Sequence, residues 1–457
     1  MHPHHKESKL TTALLVAMCK LTAQGSICWP NRMPLNWGAA RSQPHRLHVK
    51  FLSGPQRAQI FDGSPGQDVG WRARLTLKIA TIAPSYFPAH SYGGPIRSTL
   101  QLAQGLVRAG CEVRVLTTNT AGPHHTLDVD TTREHTLEGG VRVRYARRVL
   151  PDSVSPQLLA ALPEYIAWCD LVQLVGNYNF PTFPTLLATR IADKPLFWSP
   201  RGALQRWAGA RKPQLKAAFE QICLALLPRT SVLHVTSEEE GRESSERMRG
   251  MPYVVVPNGV PIPSAPRHEP SLGRLRLGFL GRLDPKKGIP ILLGACALLP
   301  SLGVDNFELT IAGGGEPAYE EFLQAQLRTL GLKQEVQFLG DIPDAAKADF
   351  FARIDILAMP SHTENFGIVA AEALAHAVPV IASRGTPWAD LVTHDCGLWI
   401  ENTPEDLARA IALLSRRDLR EMGERGRSFA IQAFGWDNLC ARMLASYEAT
   451  LALHASR

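Results

Sequence analysis

Two carboxylates, Glu364 and Glu372, stand eight residues apart around the start of a predicted helix. Glu364 lies in a polar loop, and the alanine-rich apolar run at 368–374 predicts a helix that begins near Phe366 or Gly367. A strand end, a glycine-containing loop and a helix N-terminus together favour an anion, because free N–H groups and the helix dipole point at it. These residue types and their spacing predict a phosphate site flanked by carboxylates.

A pair of cations, Arg282 and Lys287, stands in the loop from Gly281 to Gly288, which follows another predicted strand. Two fixed cations across a tight loop suit a diphosphate, because a guanidinium binds as a bidentate fork and an ammonium as a point charge. The loop is neither a G-x-G-x-x-G dinucleotide loop nor a Walker A loop. Its sequence therefore argues against a nicotinamide-dependent dehydrogenase and against an ATPase.

Strands that alternate with helices must position these residues, and the chain shows that alternation from about residue 75 onward. The first predicted unit has a strand at 75–82, a loop with Gly93 and Gly94, and a helix at 98–109 before the next strand. This order is typical of a doubly wound parallel sheet. A proline-rich segment without periodicity at 262–270 predicts a linker. The resulting division is a first domain at 75–261, a linker at 262–274, a second domain at 275–430 and a C-terminal helical segment at 431–457.

The composition bounds the class of protein. A chain of 457 residues exceeds one ordinary core, which favours two domains. Hydrophobic residues make up 45% and charged residues 20%, as in a soluble globular protein. The net charge of +7 favours anionic partners such as phosphates or an acidic membrane surface, although solubility alone would account for it equally well. Nucleic acid is not expected as a partner, because no recognisable binding module accompanies the charge.

The eight cysteines are scattered singly, without C-x-x-C or zinc-site spacing. They predict reduced thiols in a cytosolic protein. No apolar stretch approaches the length of a transmembrane helix.

Residues 1–74 do not resemble the rest of the chain, because they carry no sustained period. A short apolar run at 11–19 is similar to a signal peptide, but Lys20 interrupts it, so secretion is the less favoured alternative. We expect these residues to be a disordered extension, or an upstream read-through from a mis-called start. The folded protein would then begin near Leu75.

The stretch from Pro360 to Trp388 resembles the donor-site signature of retaining glycosyltransferases of family 4, in which two glutamates are separated by seven residues. The resemblance extends through GlyThrProTrp at 385–388 and covers most of the chain. It implies the GT-B fold, an α/β architecture in which two Rossmann-like, doubly wound parallel-sheet domains face each other across a cleft. It also implies that the last helix crosses back onto the first domain.

The resemblance assigns roles to the residues introduced above. Arg282 and Lys287 would hold the donor diphosphate and neutralise it as it leaves. Glu364 would contact hydroxyls of the donor sugar, and Glu372 those of the ribose. Retention of the anomeric configuration is likewise implied only by the resemblance, and neither a metal ion nor another cofactor is expected. The predicted catalytic residues are Arg282, Lys287 and Glu364, and the predicted donor-binding residues are Gly93, Gly94, Asn365, Phe366, Gly367, Ile368 and Glu372.

The part of the first domain expected to face the donor site departs from the family pattern. In much of the family the strand at 170–175 ends with one or two histidines, one of which contacts the transferred sugar, and this chain has none there. Gln173 and Asn177 could supply neutral hydrogen bonds instead, or they could only cap the strand end. Arg201 stands in a SerProArgGly sequence that resembles a family motif at the acceptor cleft. We therefore predict Gln173, Asn177 and Arg201 on the acceptor or sugar side.

Two basic segments leave their partner open. The predicted strand at 141–149 carries four arginines, which favour an exposed basic face or contact with anionic lipid headgroups. The segment at 206–229 mixes Arg211 and Lys212 with large apolar residues, as in a packed helix with a charged face or an amphipathic membrane helix. Asp128 and Asp130 spell DxD in a polar loop, which we interpret as an incidental surface pair.

The sequence thus predicts a retaining glycosyltransferase that moves a sugar from a nucleoside-diphosphate sugar to a lipid-linked or saccharide acceptor in bacterial surface polysaccharide biosynthesis. We expect it in the cytoplasm, with peripheral contact at the inner face of the plasma membrane as an open alternative. A nucleotide-sugar epimerase of related fold and a non-catalytic, nucleotide-sugar-binding relative remain as rival hypotheses. The identities of the base, the sugar and the acceptor do not follow from the residues.

Overall fold

The computed structural model describes residues 76–89, 93–122, 125–205, 213–269 and 273–456. The hypotheses about residues 1–74 and about Arg211 and Lys212 lie outside the described residues. Within them the chain forms two α/β domains, each built on a parallel sheet, as the sequence predicts. None of the helices in these ranges is both long enough and apolar enough to cross a bilayer.

The first domain contains an eight-stranded sheet in the order β3-β4-β2-β1-β5-β6-β7-β8. Only β3 runs antiparallel to its neighbour; the other pairs are parallel. The central strands carry apolar residues on both faces, as expected where helices cover both sides of a sheet. The strands are β1 (Lys78–Ile82), β2 (Glu112–Thr118), β3 (Glu134–Thr136), β4 (Arg142–Ala146), β5 (Leu171–Val175), β6 (Leu196–Ser199), β7 (Ser231–Val235) and β8 (Tyr253–Val255).

Helices connect these strands, and serine side chains cap two of them. Ser155 Oγ accepts from the N–H of Leu158, and Ser237 Oγ accepts from the N–H of Glu240. The helices are α1 (Gly94–Arg108), α2 (Pro156–Trp168), α3 (Thr182–Ile191), α4 (Pro213–Leu226) and α5 (Glu238–Arg247).

The second domain contains a six-stranded sheet in the order β11-β10-β9-β12-β13-β14, in which all pairs are parallel. Its strands are β9 (Leu275–Leu280), β10 (Phe307–Ala312), β11 (Val336–Gly340), β12 (Ile356–Met359), β13 (Val380–Ser383) and β14 (Gly397–Ile400). Its helices are α6 (Ile289–Leu298), α7 (Pro317–Thr329), α8 (Lys347–Ala352), α9 (Ile368–Ala375), α10 (Asp390–Thr393), α11 (Pro404–Leu414) and α12 (Leu419–Phe434).

The last helix, α13 (Trp436–Ala455), packs against the first domain. Leu439, Met443 and Tyr447 are buried in the same core as strands β1, β2 and β5. The hydroxyl of Tyr447 donates to Gln173 Oε1 at 2.8 Å. The C-terminal segment therefore completes the core of the domain that the chain built first.

The chain crosses between the domains twice, and the two crossings lie side by side. The N–H of Val260, where the first domain ends, donates to the carbonyl of Phe434 at 3.0 Å. Val260 and Gly435 form a parallel bridge, and the ring of Trp436 packs on Gly259. The linker and the start of α13 thus form one paired connection.

Two predicted boundaries differ from the structure. Helix α1 begins at Gly94 and not at residue 98, so the Gly-Gly-Pro sequence forms the first turn of the helix. Pro95 explains the early start, because its fixed φ suits the first turn and its missing N–H is not needed there. The strand predicted at 141–149 is shorter, since β4 ends at Ala146.

The basic face expected on β4 is wrong for two of its arginines. Arg142 pairs with Glu112 at 3.1 Å, and Arg144 lies 3.6 Å from Glu164. Glu164 also receives the guanidinium of Arg114, on the neighbouring strand, at 2.8 Å. Carboxylates therefore neutralise this part of the strand, which weakens the hypothesis of lipid contact there.

Close packing between α1 and α13 leads to a first prediction. A Cβ atom at Gly105 would lie 2.1 Å from Cys440 Sγ. Alanine inside a helix normally stabilises it relative to glycine, but overpacking here should cost about 1–3 kcal/mol. We expect Gly105→Ala to lower the melting temperature and Gly105→Ala/Cys440→Ala to recover most of the loss. A Gly105→Ala variant that melts at or above the parent temperature would contradict this packing.

A buried histidine in β7 leads to a second prediction, on acid stability. His234 Nε2 donates to the carbonyl of Val256 at 3.0 Å, so Nδ1, 2.7 Å from Ser199 Oγ, accepts from the hydroxyl. Burial, followed by the nearby Arg201 cation, lowers the pKa of His234 from 6.5 to about 3. The unfolded chain therefore binds a proton between these pH values that the folded chain does not, and stability is lost as the pH falls from about 6.5 towards 3.

We expect melting temperature to fall on acidification less steeply in His234→Asn than in the parent, even though the variant is less stable at neutral pH. The corresponding difference in the slope of the unfolding free energy against pH should approach about 1.4 kcal/mol per pH unit. His125→Asn, at an exposed position, serves as the control and should keep the parental slope. Equal slopes for parent and His234→Asn would refute the assignment.

Candidate active site

Two loops leave neighbouring strands at the point where the second sheet reverses its strand order. The loop Gly281–Gly288 follows β9, and the loop 360–367 follows β12, which pairs with β9. In doubly wound sheets ligands bind at the carboxyl ends of the strands at such a switch point. The loops touch, because the N–H of His362 donates to the carbonyl of Lys286 at 2.7 Å. The fold therefore brings the predicted cations and the predicted carboxylate to one place.

Lys287 and Glu364 form an ion pair between these loops. Lys287 Nζ donates to Glu364 Oε1, and Ser361 Oγ donates to the same oxygen at 2.9 Å. The side chains are only 18% and 10% exposed, so the pair is shielded from screening by solvent. The carboxylate is held in one orientation by two donors.

Lys286 is a residue that the sequence analysis missed. It lies half-buried in a short 3-10 turn, Pro285–Lys287, whose start is capped by the Asp284 carboxylate at 3.0 Å from the N–H of Lys286. Burial first, and then the neighbouring Lys287, lowers the pKa of Lys286. Lys286, Lys287 and the exposed Arg282 together form a group of three cations in this loop. The adjacent lysines of the loop could have signalled this in the sequence.

The N-terminus of α9 forms the next part of the site. Gly367 precedes the helix with a left-handed φ of 73°, and a Cβ atom there would lie 2.9 Å from Met359 Sδ. Only glycine fits this position, and glycine has no side chain that could accept the first N–H groups of the helix. Trp388 Nε1 donates to the carbonyl of Phe366 at 2.6 Å and fixes the entry of the chain. The helix start at Ile368 agrees with the predicted one to within two residues.

The N-terminus of α1, in the first domain, faces that of α9. A Cβ atom at Gly94 would lie 3.4 Å from Ile368 Cγ2. Gly93, with a φ of 73°, precedes α1 as Gly367 precedes α9, and it also has no capping side chain. Two helix N-termini, each with partial positive charge, thus meet at the cleft.

Glu372 belongs to a chain of ion pairs that reaches the first domain. Its carboxylate is buried on α9 and accepts from Lys347 Nζ at 2.7 Å. Lys347 Nζ also lies 3.3 Å from Asp344, which pairs with Arg97 of α1. The sequence analysis named Glu372 and missed the other three, because side chains that meet only after folding leave no local pattern.

The acceptor-side residues fall into two groups. Gln173 lies inside β5, where its oxygen is taken by Tyr447, so its placement differs from the expected one at a strand end. Asn177 follows β5 and is buried, and within the described part of the chain neither polar atom of its amide has a hydrogen-bond partner. Arg201 follows β6 with a φ of 56° and donates to Asn258 Oδ1 at 2.6 Å. Among the described residues, Gln173 Nε2 is likewise buried without a partner, so both amides keep hydrogen-bonding capacity, and Asn177 keeps the more of it.

The DxD pair remains within its own loop. Asp130 accepts from the N–H of Thr132 at 2.8 Å and pairs with Arg133 at 3.0 Å. Nothing in this geometry directs it towards the cleft.

Two family models match the chain. The family described as Glycosyl transferases group 1 matches residues 265–429. The family described as Glycosyl transferase 4-like domain matches residues 93–259. Between them they span most of the chain, one model for each domain.

Similar proteins agree with this division. A phosphatidyl-myo-inositol mannosyltransferase of Mycobacterium leprae (strain TN) is 28% identical over 396 residues, which cover 83% of this chain and 99% of that protein. The solved structure of a sucrose-phosphate synthase from Thermosynechococcus elongatus has a TM-score of 0.66 at 20% identity, over 82% of this chain and 100% of that one. Anabaena HepE, solved in complex with UDP, has a TM-score of 0.63 at 20% identity and the same coverage.

The fold, the donor-site geometry and these matches lead to one conclusion. The chain has two parallel-sheet domains, and it shares its overall fold with these solved structures. The chain therefore belongs to the family 4 glycosyltransferases and has their GT-B fold.

Proposed function

We propose that this enzyme transfers a hexose from a nucleoside-diphosphate sugar to a lipid-linked or saccharide acceptor, with retention of the anomeric configuration. The observation that carries the proposal is the Lys287–Glu364 pair beside two converging helix N-termini. Lys287, which would bind the diphosphate, is in direct contact with Glu364, which would bind the sugar hydroxyls. That combination fits a donor whose reacting bond joins a sugar to a diphosphate.

The cations act on the leaving group. The bond between the anomeric carbon and the diphosphate oxygen breaks, a bond from the acceptor oxygen to that carbon forms, and the proton of the acceptor hydroxyl passes to the departing diphosphate. Negative charge grows on the departing diphosphate, where Arg282, Lys287 and the N-terminus of α9 stabilise it. Lys287 already donates to Glu364. The phosphate would therefore bind the same ammonium alongside Glu364, and the ion pair would remain.

The carboxylates act on the two ends of the donor. Glu364, held by Lys287 and Ser361, would accept hydrogen bonds from sugar hydroxyls. Glu372 would do the same for the ribose, since Lys347 already holds its carboxylate in place. A carboxylate that is already held in place discriminates among arrangements of sugar hydroxyls better than a mobile one, because less ordering of its side chain is needed on binding.

We further propose that transfer needs no metal ion. The role that a divalent cation would have, neutralising a leaving diphosphate, falls here to protein cations and helix dipoles. Full transfer activity in the presence of a chelator is the expected result.

The acceptor is inferred from the relatives. The Mycobacterium leprae protein is named for a phosphatidyl-myo-inositol acceptor, and it matches this chain across both domains. A lipid-linked acceptor used in surface polysaccharide assembly, reached from the cytoplasmic side with peripheral contact to an anionic membrane, fits that likeness and the basic composition.

A third prediction tests the donor site. Arg282→Ala and Lys287→Ala should each lower transfer by at least about a hundredfold, the usual effect of removing one group that stabilises developing charge. Lys333→Ala removes an exposed cation that precedes the amino end of β11 in the same domain and should leave transfer unchanged. Transfer is measured with UDP- and GDP-sugars on lipid extracts, and melting temperature shows that each variant folds. Parental activity in both Arg282→Ala and Lys287→Ala would overturn the assignment.

A fourth prediction tests the outcome of the reaction. With an α-linked donor, NMR of the initial product should show an α linkage, and a β linkage would refute retention.

An epimerase would instead change the donor without any acceptor, so a donor altered in acceptor-free reactions would favour that rival.

A further inference from the structure

Glu240, in the first turn of α5, is a fully buried carboxylate that the donor chemistry does not use. A buried charge is costly unless hydrogen bonds satisfy it. Its Oε1 accepts from the N–H of Gly202 at 2.6 Å. Its Oε2 accepts from the N–H and the hydroxyl of Thr236 at 2.7 and 2.8 Å. Glu240 therefore ties the loops after β6 and β7 together at the edge of the cleft.

The carboxylate also reaches the second domain. With the Asn365 amide turned so that its nitrogen faces Glu240, that nitrogen lies 2.7 Å from Glu240 Oε2 and 3.3 Å from Thr236 Oγ1. This orientation is required, because a carboxylate can accept hydrogen bonds but cannot donate one. A residue of the first domain thus holds the residue that follows Glu364 in the donor loop.

The backbone around this contact leaves little room for another arrangement. Gly202 has a φ of 79°, and a Cβ atom there would lie 2.9 Å from Asn365 Cβ. Thr236 Oγ1 also lies 3.4 Å from the carbonyl of Asn365. The donor loop is therefore seated directly on the first domain.

The titratable and charged groups around Glu240 come from four elements. Arg201, in the loop after β6, is the cation that interacts with it. Beyond Arg201 lie His234 of β7 and Tyr447 of α13. On α5 itself, Glu238 and Glu239 occupy the same first turn.

We propose that Glu240 is a positioning residue for transfer, acting through Asn365. Its hydrogen bond fixes the donor loop, and with it Glu364, relative to the first domain. Most of the residues expected to bind the nucleotide lie on the second domain, whereas transfer needs Glu364 to face an acceptor held by the first domain. The inference rests on the proposed donor role of Glu364. It adds that the hydrogen bond between Glu240 and Asn365 positions Glu364 when the two domains dock.

The test compares three variants of the contact. Asn365→Ala removes the donor atom and adds no charge. Asn365→Asp places a second carboxylate beside Glu240, and two close carboxylates share one proton at lower pH and repel each other at higher pH. Glu240→Gln/Asn365→Asp removes that repulsion. Each variant is assayed for transfer kcat and donor KM between pH 6 and 8, and for UDP and GDP binding by calorimetry.

We expect Asn365→Ala to lower kcat by roughly tenfold, in the range seen when contacting residues are uncoupled. Nucleotide Kd should change less than about twofold, because the phosphate and ribose contacts remain. The ratio of Asn365→Asp to parental kcat should fall from pH 6 to pH 8. The ratio for Asn365→Ala, and for the double variant, should stay flat.

A flat ratio for Asn365→Asp would overturn the proposal, and so would a rise in donor KM without a fall in kcat, since that would place Asn365 on the donor itself. Glu240→Gln alone leaves a backbone N–H without an acceptor, and its melting temperature reports whether it folds. If it does not, the comparison of Asn365→Asp with Asn365→Ala still decides. Failure of the donor site would appear separately, as parental activity in Lys287→Ala.

Discussion

The ion pair between Lys287 and Glu364 is the contact on which the donor site depends. It joins the loops after β9 and β12, which the sheet places side by side where its strand order reverses. The carboxylate and the ammonium are largely buried and bind each other, so both are oriented before any substrate arrives. The six-stranded sheet and its core serve to bring two loops from distant parts of the chain to that single contact.

The first domain contributes more than an opposing wall. Arg97 reaches Asp344, and Glu240 reaches Asn365, so polar contacts cross the cleft at two places. The first contact leads through Lys347 to Glu372, and the second leads to Glu364, the residue before Asn365. The site is consequently a property of the docked pair of domains, although most of the residues expected to meet the nucleotide lie on the second domain.

Much of the donor wall could be predicted from the sequence because its parts are contiguous. Glu364 and Gly367 stand within one loop, next to the helix that they precede. Contacts between distant residues could not be predicted, because Glu240 by itself resembles an ordinary acid at a helix start. Gln173 shows the same limit, since a partner 274 residues away determines what its side chain does. The fold class followed from alternation, whereas boundaries such as the start of α1 depended on Pro95.

The paired crossings at Val260 and Gly435 constrain how the molecule can move. Because the two connections are hydrogen-bonded to each other, they act as a single hinge and not as two independent tethers. Opening of the cleft is then a rotation about that line, and displacement grows with distance from it. A rotation about that line would therefore displace the parts of the cleft farthest from the paired crossings the most.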